Sequence, residues 1–165
     1  MGCCSSDSST DRQPLVPNRG GGGGGNKTGE FTQPYVFRAK NTVIIRHSGG
    51  SHLRVENNGH QLLGTGGKGK FARFEAMPEN DGKRVKLRSL HNGKYLRIHH
   101  HERKNVLDCA GEGGKFTLFS VHHEGQPGHV KLESVHFPGS YIACDSNGPR
   151  VGKGGPFCKL EIFRI

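Results

Sequence analysis

Apolar positions along the chain recur in short alternating segments separated by glycine, a pattern typical of β-strands joined by tight turns. The clearest example is Lys86–Ile98, in which Leu87, Tyr95 and Leu96 lie on either side of the dipeptide Asn92-Gly93. Asn and Gly tolerate positive φ better than other residues, so this dipeptide predicts a turn between two strands. The segment is therefore predicted to be a hairpin.

The same unit occurs once before this segment, at Val43–Leu53, and once after it, at Val130–Ile142. Its turn glycines, Gly50, Gly93 and Gly139, lie 43 and 46 residues apart. A second signal repeats independently, as a pair of apolar residues separated by two positions, with another apolar residue nine positions earlier. The pairs are Phe71/Phe74, Phe116/Phe119 and Leu160/Phe163, and the earlier residues are Leu62, Leu107 and Val151. Three copies at a period near 45 indicate a repeated all-β unit.

Two architectures fit such a repeat, a propeller and a closed barrel capped by hairpins. Propellers use about four to eight blades, whereas three units of roughly four strands resemble the β-trefoil. That is the fold of the fibroblast growth factors, the interleukin-1 cytokines, fascin and hisactophilin. The resemblance implies an all-β domain of three repeats of about 45 residues and about 12 strands. The residues expected in its core are Leu53, Leu62, Phe71, Phe74, Leu96, Leu107, Phe116, Phe119, Ile142, Val151, Leu160 and Phe163.

The first 30 residues differ in composition from the rest of the chain. Residues 1–6 match the pattern Met-Gly-x-x-x-Ser, which predicts myristoylation of Gly2 and palmitoylation of the adjacent Cys3 and Cys4. Residues 7–30, which contain six consecutive glycines, are predicted to be a disordered, flexible linker. The trefoil is expected to occupy residues 31–165. No hydrophobic run follows the acylation motif, so we expect neither a secretory signal nor a spanning helix, and synthesis in the cytosol.

Positive charge is concentrated in the predicted domain. Of the chain's 24 Lys and Arg residues three precede residue 31, and of its 14 Asp and Glu residues three do, which leaves 21 basic and 11 acidic groups in 31–165. Such an excess favours anionic partners: membrane lipid, heparin-like glycans, nucleic acid or an acidic protein. Nucleic acid is the weaker choice, because no RNA-recognition or zinc-finger motif occurs and the Phe residues fall mainly on the repeating core positions.

Two groups of residues are candidates for contacts with such partners. The basic residues predicted to bind an anion or a membrane are Lys68, Lys70, Lys83, Arg84, Lys86, Arg88, Arg103 and Lys104. A solvated strand face is the alternative for Lys86 and Arg88. The run His99, His100 and His101 is the candidate pH sensor, because imidazoles gain positive charge on mild acidification. Consecutive strand residues point to opposite faces, so the run is not expected to hold a metal, and a solvated rim loop is the alternative.

The sequence contains none of the common catalytic or cofactor-binding motifs, so we expect a non-enzyme with no cofactor. Cys109, Cys144 and Cys158 are odd in number and form no Cys-x-x-Cys pair. They are expected to be free, buried thiols in a reducing compartment.

Family resemblances suggest two functions. The His content, the predicted Gly2 acylation and the three repeats resemble hisactophilin, which implies a monomeric, lipid-anchored adaptor at the cytoplasmic face of the plasma membrane, with a cytosolic pool and contact with the actin cortex. The segment Leu132–Cys144 resembles the interleukin-1 signature in Ser134, Tyr141 and Ile142. Gly93–His99 resembles a fibroblast growth factor hairpin. These two segments imply the alternative, a leaderless signalling ligand for a receptor or heparin.

Overall fold

The computed structural model describes residues 37–165. The predicted acylation motif (1–6), the predicted linker (7–30) and the first six residues of the predicted domain lie outside the described residues. The strands, numbered in chain order, are β1 Thr42–Arg46, β2 His52–Val55, β3 Leu62–Gly66, β4 Phe74–Glu79, β5 Arg84–Ser89, β6 Tyr95–His101, β7 Lys104–Gly111, β8 Phe119–His123, β9 His129–Ser134, β10 Tyr141–Asp145, β11 Gly148–Gly152 and β12 Leu160–Arg164. One-turn 3-10 helices at Lys70–Ala72, Lys115–Thr117 and Pro156–Cys158 precede β4, β8 and β12.

Six strands form a closed antiparallel barrel. In order around the ring they are β1, β4, β5, β8, β9 and β12. The ring closes where β12 pairs with β1, in a register that sets Val43 opposite Arg164 and Arg46 opposite Glu161. Closure leaves no unpaired edge in the barrel.

Three hairpins, β2–β3, β6–β7 and β10–β11, extend from the barrel and contact one another. Each follows one of the barrel strands β1, β5 and β9, so all three lie at the same end, called here the cap end. The opposite end, called the open end, carries the turns at residues 80–83 and 124–128, the start of β1 and the end of β12. This is a β-trefoil, as the repeats predicted.

The core is built from side chains that point into the barrel and under the cap. Ile45, Leu87 and Leu132 take equivalent inward positions on β1, β5 and β9, and all are fully buried. Phe37, which lies outside every repeat signal found in the sequence, is also buried in this cluster at 1% exposure. It packs where the described chain begins, at the open end.

The predicted core is confirmed in two repeats and misaligned in the third. Seven predicted residues are buried: Leu53, Leu62, Phe74, Leu96, Phe119, Ile142 and Leu160. Leu107 and Val151 pack partly buried against the core, and Phe71 and Phe116 are half-buried. Phe163 is 39% exposed, so its prediction as a core residue is wrong.

The misalignment of Phe163 follows from the length of the third hairpin. Strand β10 has five residues whereas β6 has seven, so the third repeat is shorter. The barrel strands begin at Phe74, Phe119 and Leu160, which are 45 and 41 residues apart, and each start follows a 3-10 helix. The true equivalent of Phe116/Phe119 is therefore Phe157/Leu160.

Among the described residues, no helix is long and apolar enough to span a membrane.

Candidate functional site

The predicted basic residues lie in four separate parts of the domain. Lys83 and Arg84 lie at the open end, where the turn after β4 leads into β5, and both are exposed. Lys68 and Lys70, also exposed, lie in the connection between β3 and β4. The backbone carbonyl of Lys68 accepts a hydrogen bond from Arg73 Nε at 3.0 Å.

Lys86 and Arg88 lie on the outer wall of the barrel, because β5 directs the buried Leu87 inward between them. The half-buried Lys86 donates to the Gly113 carbonyl at 2.8 Å and lies 3.4 Å from a Glu79 carboxylate oxygen. Arg88 donates to the Gly93 carbonyl at 3.2 Å. The cationic groups of these two residues are thus bound within the domain.

Arg103 and Lys104 lie at the tip of the β6–β7 hairpin, where Lys104 forms the last strand pair with His101. Glu102 and Arg103 have positive φ values of 47° and 73°, which turn the chain in two residues. A seven-residue strand is about 20 Å long, and β6 separates this tip from Arg88, which pairs with Tyr95 at its base. The tip is therefore distant from the other basic groups.

The three consecutive histidines have different surroundings. His99 lies 3.0 Å from Asp108 Oδ2, and His101 lies 3.4 Å from Glu102. His100, on the opposite face of β6, contacts the Asn105 side-chain oxygen at 3.1 Å. The alternation expected of a strand therefore divides the run between two faces.

Asp108 is the centre of a small network of hydrogen bonds and ion pairs at this hairpin. Arg97 donates to its two oxygens at 2.7 and 3.2 Å, and the Ala110 N–H donates to Oδ1 at 3.1 Å. Partial burial works against the charged carboxylate, but the hydrogen bond and charge of Arg97, with help from Ala110 and His99, outweigh it and hold the pKa of Asp108 below its ordinary value.

An aromatic cluster beside the hairpin tip was missed in the sequence. The rings of Phe116 and Phe137 are stacked with centroids 5.8 Å apart, and His136 packs edge-on against both at 5.0 and 4.7 Å. His100 lies 6.4 Å from Phe137 and the Lys115 ammonium 5.4 Å from Phe116. No spacing rule links these residues, because they come from strand β6 and from the separate β7–β8 and β9–β10 connections.

We name the exposed polar part of this region the tip surface: His100, Arg103, Lys104, Lys115 and His136. A hydrogen bond of 3.0 Å from Asn105 Nδ2 to Ser140 Oγ ties its hairpin to the third repeat. The tip surface thus spans the junction of the second and third repeats and carries five basic side chains.

Each repeat has one charged side chain at the same position on the barrel wall. This side chain is cationic in the first two repeats and anionic in the third. In the first, Arg46 binds the Gly50 carbonyl and Glu161. In the second, Arg88 binds the Gly93 carbonyl and lies 3.8 Å from Glu75.

In the third repeat the equivalent residue is Glu133, which accepts from the Gly139 N–H at 2.7 Å and from His122 at 2.8 Å. The Gly139 hydrogen bond is the main cause that holds the pKa of Glu133 below its ordinary value, and His122 and Tyr141 add to it. A strand position that is cationic in two repeats is therefore anionic in the third.

The three cysteines of the domain are free and buried. Burial, with the nearby Asp108 carboxylate, raises the pKa of Cys109 to about 12. Burial and Asp145 raise the pKa of Cys144 to about 11. Both thiols therefore remain protonated at neutral pH and are poor nucleophiles.

The described surface has shallow depressions at both ends. One of ≈280 Å³ lies against Arg46, His129 and Lys159, and one of ≈430 Å³ lies at the open end between Phe37 and the turn Pro78–Gly82. Within residues 37–165 no three His, Cys, Asp or Glu side chains are grouped so that they could hold a metal ion. The predicted lipidation sites Gly2, Cys3 and Cys4 lie outside the described residues.

Comparison with known proteins agrees with the architecture. No protein-family model matches the chain, and a search of curated protein sequences finds no match. Among solved structures the chain is similar to the designed threefold-symmetric protein ThreeFoil, with a TM-score of 0.61 and 20% sequence identity over 75% of this chain and 99% of that one. At this identity the similarity shows the fold alone, that of a β-trefoil with three related lobes.

Proposed function

We propose that this protein is a non-enzymatic, lipid-anchored adaptor at the cytoplasmic face of the plasma membrane, and that its tip surface binds an acidic protein such as cortical actin. The observation that carries the proposal is that the point of chain entry and the tip surface lie at opposite ends of the trefoil. The chain that precedes Phe37 joins the domain at the open end, whereas the tip surface lies at the cap end. A tether attached to the open end leaves the tip surface free for a partner.

The way in which the chain enters the domain supports this arrangement. Phe37 is buried, and the backbone N–H of Lys40 donates to the Ala76 carbonyl at 2.9 Å. Asn41 then leads directly into β1. The first described residues are therefore held at the open end by packing and by a backbone hydrogen bond.

The chemistry of the tip surface suits an acidic partner. Arg103 and Lys104 are exposed and make no side-chain ion pair with any residue in 37–165. The nearby carboxylate of Glu102 lies 3.4 Å from His101. Two of the five side chains of the tip surface are histidines, the residue type that most readily gains charge on mild acidification, so we expect the attraction to an acidic protein to strengthen as the pH falls.

Core packing explains why Ser134, Ile142 and Ala143 occur in the interleukin-1-like segment, without any contact with a receptor. Ser134, Ile142 and Ala143 are buried at 1%, 0% and 1% exposure. The Ser134 hydroxyl accepts from the Phe137 N–H at 3.0 Å, which organises the turn that follows β9. These three residues serve the core and cannot contact a receptor, whereas Tyr141 is half-buried. Most of the resemblance is thus explained by packing, so the adaptor is our first choice over the signalling ligand.

Co-sedimentation of the full-length protein with polymerised actin tests the partner. We expect the parent to sediment, more strongly at pH 6.0 than at pH 7.5, and R103E/K104E to remain in the supernatant. The double variant K83E/R84E makes the same charge change at the open end and is expected to sediment like the parent. Failure of the parent to sediment would exclude actin, and equal loss in both variants would exclude the tip surface.

Proximity labelling from the intact protein in cells separates the adaptor from the ligand. Labelled cortical and inner-leaflet proteins, lost in the Gly2→Ala variant, support the adaptor. Labelled receptor ectodomains, together with protein in the medium, would overturn it.

A further inference from the structure

We infer that the open end of the barrel is a bilayer-contacting surface that recognises anionic lipid, separately from the acyl chains. This surface, called the lipid face, consists of Lys40, Lys83, Arg84, Phe163, Arg164 and Ile165. The inference deepens the proposed function, since it assigns the orientation of the domain at the membrane, and its test does not depend on acylation.

Strand direction brings these residues to one end. The turn that holds Lys83 leads into β5 at Arg84, and Lys40 lies two residues before β1. Strand β12 ends at Arg164, which pairs with Val43 near the start of β1, and the Ile165 N–H donates to the Thr42 carbonyl at 2.8 Å. Residues far apart in sequence therefore share the rim of the barrel.

The charges at this rim do not cancel. Of the acidic groups there, Glu79 lies 3.4 Å from Lys86 and Glu124 lies 3.7 Å from Lys131, so lysines of the barrel wall balance both. The four rim cations are opposed by the carboxylate of Asp81, which makes no ion pair with the described residues, and by the α-carboxylate of Ile165. The rim therefore carries a net positive charge, as contact with an anionic leaflet requires.

Large apolar side chains accompany these cations. Phe163 is 39% exposed and Ile165 is 53% exposed, and both flank the exposed Arg164. Phe163 points away from the core because it alternates with the buried Ile162 along β12. Aromatic and aliphatic side chains beside basic ones match the boundary between head groups and acyl chains.

The positive charge of the lipid face and the position at which the chain enters the domain both indicate that a bilayer contacts this surface. Phe37, the first residue that the structure describes, is buried at this end, so a predicted acyl anchor on the preceding chain is attached to the domain beside the same rim. Lys and Arg side chains near an anionic leaflet are each attracted to it, and four of them on one rim favour the orientation in which this rim faces the bilayer.

A tryptophan scan tests the surface directly, because the chain contains no Trp. Full-length, unacylated Phe163→Trp is mixed with vesicles of phosphatidylserine and phosphatidylcholine. We expect a blue shift of its emission and quenching by brominated lipid. Phe157→Trp is the matched control, since Phe157 is exposed to a similar extent, 47%, but lies beside the cap end. Its emission is expected to be unchanged, and Ile165→Trp replaces Phe163→Trp if that variant does not fold.

Charge reversal tests the recognition of anionic lipid. We expect K83E/R84E to lower the affinity of the unacylated chain for phosphatidylserine vesicles by at least about 30-fold at about 0.1 M salt, where the Debye length is about 10 Å. R103E/K104E, with the same change of charge at the tip surface, is expected to retain affinity within about three-fold, because its charges lie more than a Debye length away.

Three results would overturn the inference. They are no vesicle binding by the unacylated parent, quenching of the Phe157→Trp variant in place of the Phe163→Trp variant, and equal effects of the two double charge reversals. Failure of the anchoring proposal would be seen differently, as unchanged membrane recovery of Gly2→Ala in cells. The two failures are therefore distinguishable.

Discussion

Arg97 and Asp108 form a two-point ion pair across the β6–β7 hairpin, with Nε–Oδ1 at 2.7 Å and Nη2–Oδ2 at 3.2 Å. The side chains are only 27% and 23% exposed, so solvent screens the pair weakly. A two-point guanidinium–carboxylate pair fixes orientation as well as charge. It therefore holds together the hairpin that presents the tip surface.

We expect Asp108→Asn to lower the free energy of unfolding at pH 7 by ~1–3 kcal/mol, because Arg97 loses a charged acceptor. The pKa of Asp108 is lowered by folding. Its stabilisation is therefore complete above the unfolded value of about 3.9 and is lost as the pH falls through the lower folded value. Urea unfolding from pH 7 to pH 2 measures both effects.

The matched control is Glu112→Gln, which removes the 77% exposed partner of Lys94 and should leave stability nearly unchanged. Equal stability of the parent and the Asp108→Asn variant at pH 7 would contradict the assignment of a stabilising ion pair to Arg97 and Asp108.

Phe119→Ala should lower the free energy of unfolding by ~3–5 kcal/mol, since a large, fully buried aromatic leaves a cavity in the barrel. Phe163→Ala should cost less, about 1 kcal/mol, because the ring is 39% exposed and its removal leaves no enclosed cavity. Denaturant midpoints measure both changes. Equal costs for the two substitutions would mean that the barrel alignment is wrong.

Gly64→Ala should destabilise the domain by ~1–3 kcal/mol. A Cβ at Gly64 would lie 2.9 Å from Cys144 Sγ and 3.3 Å from His47 Nε2, between the first and third repeats. Gly67→Ala is the control, because its Cβ would meet nothing within 4 Å. We expect this control to be neutral or to gain up to ~1 kcal/mol from reduced freedom of the unfolded chain. Thermal denaturation compares the two, and a less stable Gly67→Ala would contradict the packing argument.

Gly2→Ala is expected to move the protein from the membrane to the cytosol, and Cys3→Ser/Cys4→Ser to leave weak, reversible attachment, because one acyl chain binds bilayers only marginally. Fractionation of cells that express each variant measures the distribution. Equal membrane recovery in all cases would leave the basic surface as the anchor.

The sequence was sufficient for the architecture because glycine and apolar positions report directly on turns and barrel strands. Gly50, Gly93 and Gly139 all have positive φ, between 74° and 95°, at the turns where the repeat placed them. The third repeat was misaligned because its hairpin is shorter, so that Leu160 follows Phe119 by 41 residues whereas Phe119 follows Phe74 by 45. A search keyed on the 3-10 helix before each barrel strand would have aligned Phe157 with Phe116.

Surface clusters could not be predicted in the same way. Phe116, His136 and Phe137 meet because two connections, β7–β8 and β9–β10, converge at a junction between repeats, and no fixed spacing encodes such a meeting. His47 gives a second example. Its Nδ1 accepts from the Gly49 N–H at 3.0 Å, in the position where Ser89 and Ser134 use a hydroxyl to organise the equivalent turns. An imidazole in place of a hydroxyl hides the equivalence of the three positions from sequence comparison.

The pairing of Val43 with Arg164 that closes the barrel also has a consequence for folding during synthesis. During synthesis β1 emerges from the ribosome more than one hundred residues before its partner β12, so one of its edges stays open until nearly the whole domain has been made. Pairings so distant in sequence are slow to form. We therefore expect nascent chains to depend on chaperones until β12 has emerged, and folding to be limited by this last seam.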